Sequence, residues 1–189
     1  MKKIYIVLTY TGTILAKIVK FYTRNKFSHV SIALDEALNE MYSFGRLNPY
    51  NPFWGGFVHE KIDSGTFKRF KNTEAAIFSI DLTEKQYNII KKTINFMEKN
   101  KNCYSFNVIG LFAVCINRKI KFKHSFYCAE FVKYLFEKAK INRGELPEII
   151  KPEDFKNLSN IKKEYRGKLK KYKANKNIEI VFEDVSWYY

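Results

Sequence analysis

The sequence predicts an α+β fold in which an antiparallel sheet of about five strands packs against helices, in one domain covering residues 1–189. Two observations indicate this fold. Short β-rich segments joined by short turns dominate the first half of the chain, which favours antiparallel neighbours. Segments with apolar residues at helical spacing dominate the second half. The predicted strands are 4–8, 27–35, 40–45, 57–62 and 75–82, and the later helices are 83–100, 104–117 and 125–140.

Two segments of the first half carry apolar side chains outside the predicted strands. A helix is predicted over residues 13–23, with one apolar face formed by Ile14, Leu15, Ile18, Val19 and Tyr22. Residues 46–56 contain two Asn-Pro steps and a Gly pair, which predicts a loop. Its aromatic residues Tyr50, Phe53 and Trp54 either cap the core or line a substrate groove, and capping is the favoured interpretation.

Three features mark the second half. Thr83, with Gln86 three residues later, is a capping-box pattern that starts the helix 83–100. Residues 104–117 are apolar nearly all round and too few to cross a bilayer, which predicts a core helix or an interfacial one. A short helix is expected at 151–155, and the β-like stretches 165–172 and 178–185 are expected as edge strands or a terminal tail.

The composition excludes a disordered chain and points to anionic partners. Hydrophobic residues make up 46% and aromatic residues 17%, and the formal net charge is +15. Nucleic acid, an anionic membrane surface and an acidic wall polymer are therefore possible partners, although a lysine-rich solvated surface explains much of the charge. The C-terminal lysines do not alternate with aromatic residues, so no specific nucleic-acid motif is present.

Cysteine and histidine usage argues against metal sites and disulfides. The three cysteines form no CxxC pair, and the three histidines complete no zinc-binding spacing. We assign no metal and no cofactor. The odd cysteine count favours a reducing compartment such as the cytoplasm. The basic and apolar N-terminus resembles a signal peptide but lacks a small-x-small cleavage site, so it is expected to remain as a strand and a helix.

Cys128 opens the strongest helix of the sequence. Its buried stripe is formed by Phe131, Val132, Leu135, Phe136 and Ala139. A thiol in the first helical turn lies at the positive end of the helix dipole, which favours the thiolate. The competing interpretation is a cysteine that only fills space in the core. Glu130 is expected to be a solvated residue of the same turn.

His29 is the candidate base. Alternation along its strand places Val30, Ile32 and Leu34 on the core face and His29 on the other face, beside the small residues Ser31 and Ala33. Another element then has room to approach the imidazole. The alternative is a histidine satisfied by a neighbouring backbone group. A rival pairing of Cys128 with His124 ranks below His29, and His59 is expected on the surface.

The chain resembles the circularly permuted branch of the NlpC-type papain-like cysteine hydrolases, which includes relatives of lecithin–retinol acyltransferase. The resemblance is carried by SHVSIALD, MYSFG, YSFNVIGL and FYCAEFV, and by the later PEDF and YRGKLKKY stretches. Their order matters most, because the histidine strand precedes the cysteine helix in the permuted branch. The match extends from Ile4 to about Tyr172 and implies a permuted papain-like fold.

The resemblance also implies catalytic roles. Cys128 would be the nucleophile and His29 the general base, with a polar third residue on the strand after the histidine strand. Ser43 occupies that position, but a serine orients an imidazole only weakly. Glu60 on the next strand is therefore the alternative third residue. Tyr10, after the first strand, is a possible oxyanion donor.

The implied activity is thiol-dependent hydrolysis or transfer at an amide or ester carbonyl. Its substrate would be a peptide or a lipid acyl group, and an acyl substrate is slightly favoured by the aromatic 46–56 segment and the apolar 104–117 helix. A second hypothesis is an inactive, basic binding module of the same fold. That module would engage nucleic acid or an anionic membrane surface, and Ser43 in place of a strong orienter would suit it.

Overall fold

The computed structural model describes residues 1–48 and 50–172, without the side chains of residues 52 and 53. Short 3-10 turns cover Lys101–Cys103 and Pro152–Asn157. In chain order the strands and helices are β1 (Lys2–Tyr10), α1 (Ile14–Thr23), β2 (His29–Ala33), β3 (Met41–Asn48), β4 (Asn51–Glu60), α2 (Gly65–Arg69), β5 (Glu74–Leu82), α3 (Glu84–Lys99), β6 (Ser105–Phe106), α4 (Val108–Cys115), β7 (Ser125–Phe126), α5 (Cys128–Ala139) and β8 (Ile161–Lys168).

The described residues form a six-stranded antiparallel sheet in the order β4-β3-β2-β1-β5-β8. The predicted α+β fold with an antiparallel sheet is therefore confirmed, with six strands instead of about five. The sixth is β8, which begins at Ile161 and lies at an edge. The stretch 178–185 lies outside the described residues. β6 and β7 pair in parallel as a separate two-stranded sheet.

Hydrophobic clusters cover both faces of the main sheet. On one face, Ile6, Ile32 and Phe44 pack with the buried sides of α3 and α5. The predicted stripe of α5 is buried in full. On the other face, Tyr5 and Val7 pack in a smaller cluster that includes Phe67 of α2. Because successive side chains of a strand alternate between faces, β1 contributes to both clusters.

The helix predictions hold for α3 and α5, and α4 is shorter than expected. Thr83 caps α3, and its hydroxyl accepts from the Gln86 backbone N–H at 3.3 Å while the Gln86 side chain accepts from the Thr83 N–H at 3.0 Å. The predicted helix 104–117 spans only Val108–Cys115, because residues 105 and 106 pair with β7. The expected short helix at 151–155 is the 3-10 turn Pro152–Asn157.

The predicted loop 46–56 is wrong. β3 continues to Asn48 and β4 starts at Asn51, so a tight hairpin replaces the loop. β4 is an edge strand that pairs on one side only, and an edge tolerates proline, which lacks the N–H donor. Tyr50 and Trp54 do not cap the core, because both side chains are exposed.

The apolar face predicted for α1 is only partly buried. Thr13 caps the helix through its hydroxyl, and Ala16, Val19 and Thr23 form the buried side. Ile14 is 80% exposed and Tyr22 is 56% exposed. Val19 of the predicted face is buried and Leu15 and Ile18 are half-buried, whereas Ile14 and Tyr22 remain at the surface.

Candidate active site

Cys128 is the first residue of α5 and its side chain is 2% exposed. The preceding residue, Tyr127, is in extended conformation, is buried, and donates its hydroxyl to the Ile150 carbonyl at 3.0 Å. This anchor fixes the point where the chain enters the helix. The first backbone N–H groups of a helix have no partner within it. They therefore lie beside the thiol as potential donors to a developing oxyanion.

His29 is the first residue of β2, directly opposite Thr9 of β1. The preceding residue is held by a hydrogen bond from the Ser28 N–H to the Thr9 carbonyl at 3.1 Å. Cys128 is close enough to the imidazole to contribute to the raised pKa of His29. Both side chains line one cleft of about 70 Å³, in which Thr11 and Arg46 also lie. Cys128 thus lines a cleft, although it is buried as a core residue would be.

Glu60, the last residue of β4, holds the other side of the imidazole. His29 Nε2 lies 3.0 Å from Glu60 Oε1, and the Ser31 hydroxyl donates to Glu60 Oε2 in a short hydrogen bond. A carboxylate can only accept, so Nε2 carries the proton in this pair. The remaining ring nitrogen, Nδ1, is then the one available to the Cys128 thiol. The alternative of a backbone-satisfied histidine is not what the structure contains.

The strand register explains why Glu60 can reach His29. Glu60 pairs with Met41 of β3, and Ser43 lies two residues farther along β3 on the same face. The small side chains of Ser31 and Ser43 leave room for the Glu60 side chain to cross this face of the sheet and reach His29. Gly45 also leaves room for this contact, because a Cβ atom there would lie 3.5 Å from His29 Cε1 and 3.7 Å from Glu60 Oε1. A larger side chain at Gly45 would occupy the space of the pair.

The charges of the site support one another. Burial disfavours a charged imidazole, but the Glu60 carboxylate and the Cys128 sulfur outweigh it and raise the pKa of His29 well above its usual value. Burial also opposes the Glu60 charge, yet His29 and the hydroxyl of Ser31 lower the pKa of that carboxyl. A charged imidazole beside a charged carboxylate is the state that this arrangement stabilises.

Ser43 is next to this pair but does not hold His29. Its side chain is fully buried, and its Oγ has no partner at hydrogen-bond geometry among the described residues. The hydroxyl is nevertheless near enough to Glu60 to contribute to the lowered pKa of the carboxyl. Of the two candidates for the third residue, Glu60 is the one that contacts the imidazole.

Tyr10 does not reach the cleft. It pairs with Glu74 on the far side of β1, and its ring lies 4.7 Å from Lys20 Nζ. Alternation along β1 places Tyr10 on the face of Ile6 and Leu8, where it packs against the main hydrophobic cluster and does not line the cleft. Thr11, two residues after Thr9, lines the cleft instead.

The other candidates of the sequence are elsewhere. His124 is exposed and stacks on Tyr104 at 5.7 Å between ring centroids, so the rival pairing with Cys128 is not formed. His59 is at the surface, with Nε2 2.8 Å from the Asn39 carbonyl oxygen. Glu130 is half-buried, not solvated, and accepts from the Tyr127 N–H at 3.4 Å. Burial raises its pKa.

Two contributors were missed by the sequence analysis. Ser31 was placed on the face of His29 only as a small neighbour, yet its hydroxyl binds the carboxylate that orients the imidazole. The i, i+2 spacing with His29 was the available signal. Arg46 lay within the predicted loop and lines the cleft as part of β3. No local pattern indicated its position.

A scan against models of protein families finds no match, and a search of curated proteins finds no similar sequence. Within residues 1–48 and 50–172, no helix is long and apolar enough to cross a membrane. The same residues contain no group of three or more His, Cys, Asp or Glu side chains that could hold a metal ion.

Proposed function

We propose that this protein is a thiol-dependent hydrolase or acyltransferase acting at an amide or ester carbonyl, with a permuted papain-like fold of the NlpC type. One observation carries the proposal: Cys128, His29 and Glu60 line a single cleft, in which His29 Nε2 lies 3.0 Å from Glu60 Oε1 and Cys128 contributes to the raised pKa of His29. Cys128 is the nucleophile, His29 the general base and acid, and Glu60 the residue that orients the imidazole.

The chemistry follows from these positions. His29 takes the thiol proton, and the thiolate sulfur attacks the substrate carbonyl carbon to form a tetrahedral oxyanion. The oxyanion collapses, the bond to the leaving nitrogen or oxygen breaks, and His29 gives its proton to that atom. Water then attacks the thioester while His29 removes a proton from it, which releases the acid and restores the thiol. An acceptor amine or alcohol in place of water makes the reaction a transfer.

Glu60 keeps Nε2 protonated and so directs Nδ1 toward the sulfur. The odd number of cysteines favours a reducing compartment, and we place the protein in the cytoplasm for that reason. All three cysteines are free thiols.

Selective alkylation tests the proposal. Iodoacetamide should label Cys128 faster than the half-buried Cys115, despite the greater burial of Cys128, because the thiolate reacts and the thiol does not. His29→Ala should slow the labelling of Cys128 by about tenfold or more. His59→Ala is the matched control and should leave the rate unchanged. Equal slowing by both variants, or labelling of Cys128 at the rate of Cys115, contradicts the proposal.

The second candidate is an inactive binding module for nucleic acid or an anionic membrane surface. The net charge of +15 favours it. The serine at position 43 no longer favours this binding module, because Glu60 contacts His29 and can orient the imidazole. Binding to duplex DNA that weakens steeply with salt, together with unreactive Cys128, would support this candidate over the enzyme.

A further inference from the structure

The outward surface of α1 and α4 is apolar. Ile14, Ile18 and Phe21 follow helical spacing along the outer side of α1, and Phe21 is 78% exposed. On α4, which packs against α1, Ile109, Phe112 and Ile116 form a second stripe, with Ile116 69% exposed. We call these six residues the α1–α4 face. Contiguous exposed apolar surface on a folded protein marks an interaction site.

A groove lies within this face. Its volume is about 530 Å³, within the range of small-molecule sites, and its walls are formed by Ile14 and Ile18 of α1 with Val108 and Phe112 of α4. Arg46 lines the groove and also the cleft of Cys128, as does Leu15. The groove therefore adjoins the catalytic cleft. Arg69 lines its far wall, close enough to Arg46 that burial and this second charge lower the pKa of Arg46.

Both helices come from segments without carboxylates. Residues 1–34, which include α1, contain six Lys or Arg and no Asp or Glu. Residues 99–129, which include α4, contain another six and again no Asp or Glu. Glu74 pairs with Lys26 and Glu148 with Lys119, so two of these lysines are in ion pairs. Lys17 and Lys20 lie on α1 itself and are exposed, so the face carries positive charge that complements an anionic partner.

We propose that the α1–α4 face docks on an anionic lipid bilayer and that the groove receives one acyl chain of a bound phospholipid. Exposed apolar side chains with exposed lysines on the same helix are the chemistry of interfacial helices, in which apolar groups enter the acyl boundary and cations meet the phosphates. Arg46, which donates to the Thr13 hydroxyl at 2.6 Å, and Arg69, which lies 3.9 Å from the centre of the Tyr50 ring, both line the groove and supply the positive charge that a phosphate needs. Delivery of the lipid carbonyl to Cys128 rests on the proposed function, whereas docking does not.

Vesicle flotation tests the docking. The protein should float with vesicles of phosphatidylglycerol and phosphatidylcholine at low salt, and much less with phosphatidylcholine alone. Ile14→Glu and Ile116→Glu should each weaken the partition coefficient by about tenfold or more, because each removes an apolar side chain from the lipid and adds a negative charge. The exposed Lys17→Glu should weaken it as well and leaves the apolar face intact.

Phe96→Glu is the matched control, because Phe96 is 60% exposed on α3, outside this face. It should float as the wild-type protein does. Absence of flotation with the anionic vesicles at low salt overturns the proposal, and so does equal loss in Phe96→Glu and Ile116→Glu. Binding to duplex DNA that Ile14→Glu leaves unchanged, with no flotation, assigns the charge to nucleic acid and also overturns it.

Binding of a soluble amphiphile tests the groove. Dodecyl phosphate below its micelle concentration should bind in calorimetry, and inorganic phosphate should bind far more weakly. Arg46→Gln should reduce the affinity by about tenfold, whereas Arg166→Gln, an exposed arginine of β8, should not. Equal binding of dodecyltrimethylammonium would overturn the phosphate assignment. Cys128→Ser should retain flotation, so failure of the thiol chemistry and failure of docking give different results.

Discussion

Glu60→Gln tests the feature on which the candidate site depends, the carboxylate behind His29. Glutamine keeps the shape of the side chain and one acceptor oxygen but removes the charge. The side chains of His29 and Glu60 are 21% and 11% exposed, so solvent screens this pair weakly. A hydrogen bond to a charged group contributes about 1.5–3 kcal/mol. At 1.36 kcal/mol for each pKa unit, its loss should lower the pKa of His29 by about one to two.

The assay is an NMR titration of the imidazole Cε1–H signals. The protein has three histidines, so His59→Gln and His124→Gln assign the remaining signal to His29. Glu98→Gln is the matched control, because it removes the carboxylate 3.4 Å from His59 Nδ1 and should leave the pKa of His29 unchanged. A His29 pKa that is the same in Glu60→Gln as in the wild-type protein would show that Glu60 does not stabilise the charged imidazole.

Glu60→Gln also tests how the free energy of unfolding depends on pH. The pKa of His29 is raised on folding, so its contribution is complete below the unfolded value of 6.5 and is lost as the pH rises through the folded value. The pKa of Glu60 is lowered, so its contribution is complete above the unfolded value of 4.5 and is lost as the pH falls through the folded value. Urea unfolding should therefore show the largest difference between wild type and Glu60→Gln between pH 4.5 and 6.5. A difference that grows above or below that window contradicts the pairing.

Three further predictions concern stability, measured by urea unfolding. Ser31→Ala should lower the free energy of unfolding by about 1–3 kcal/mol, because the Glu60 carboxylate loses a donor. Ser43→Ala should lower it by less, because the Ser43 Oγ meets no partner at hydrogen-bond geometry. A larger loss in Ser43→Ala than in Ser31→Ala would contradict the assigned hydrogen bonds. Gly55→Ala should lower the free energy of unfolding by at least about 1–3 kcal/mol, because a Cβ atom there lies 2.7 Å from the Gly45 carbonyl oxygen. Gly45→Ala should lower it by less, because a Cβ atom there makes ordinary contacts of 3.4 Å or more. Thr83→Ala should cost about 1 kcal/mol through loss of the α3 cap, and no change would show that the cap is dispensable.

Periodicity was sufficient for the elements with one buried face. The stripe of α5 and the capping box of α3 each produce a local pattern that needs no knowledge of neighbours. The hairpin of β3 and β4 could not be found in this way. Asn-Pro and Gly-Gly steps mark loops on average, and only the edge position of β4 makes an extended strand compatible with them.

The prediction of which side of α1 is buried was only partly right, for a related reason. Its sequence contains apolar residues over more than half of the helix circumference, so periodicity alone does not select the buried side. Packing selected Ala16 and Val19, which fit closely, and left Ile14 and Phe21 at the surface. The surface consequence, an apolar face beside basic residues, therefore depends on the tertiary arrangement.

By itself, the sequence determined an α+β fold with an antiparallel sheet, a cysteine at the start of a buried helix and a histidine on a strand face with small neighbours. These are local properties of residues close in the chain. The tertiary structure alone decided that Glu60, not Ser43, contacts His29, that Tyr10 does not line the cleft, and that Arg46 lines both the cleft and the groove. Those relations depend on which strands are neighbours and in what register, and residues 31 positions apart come together only through that pairing.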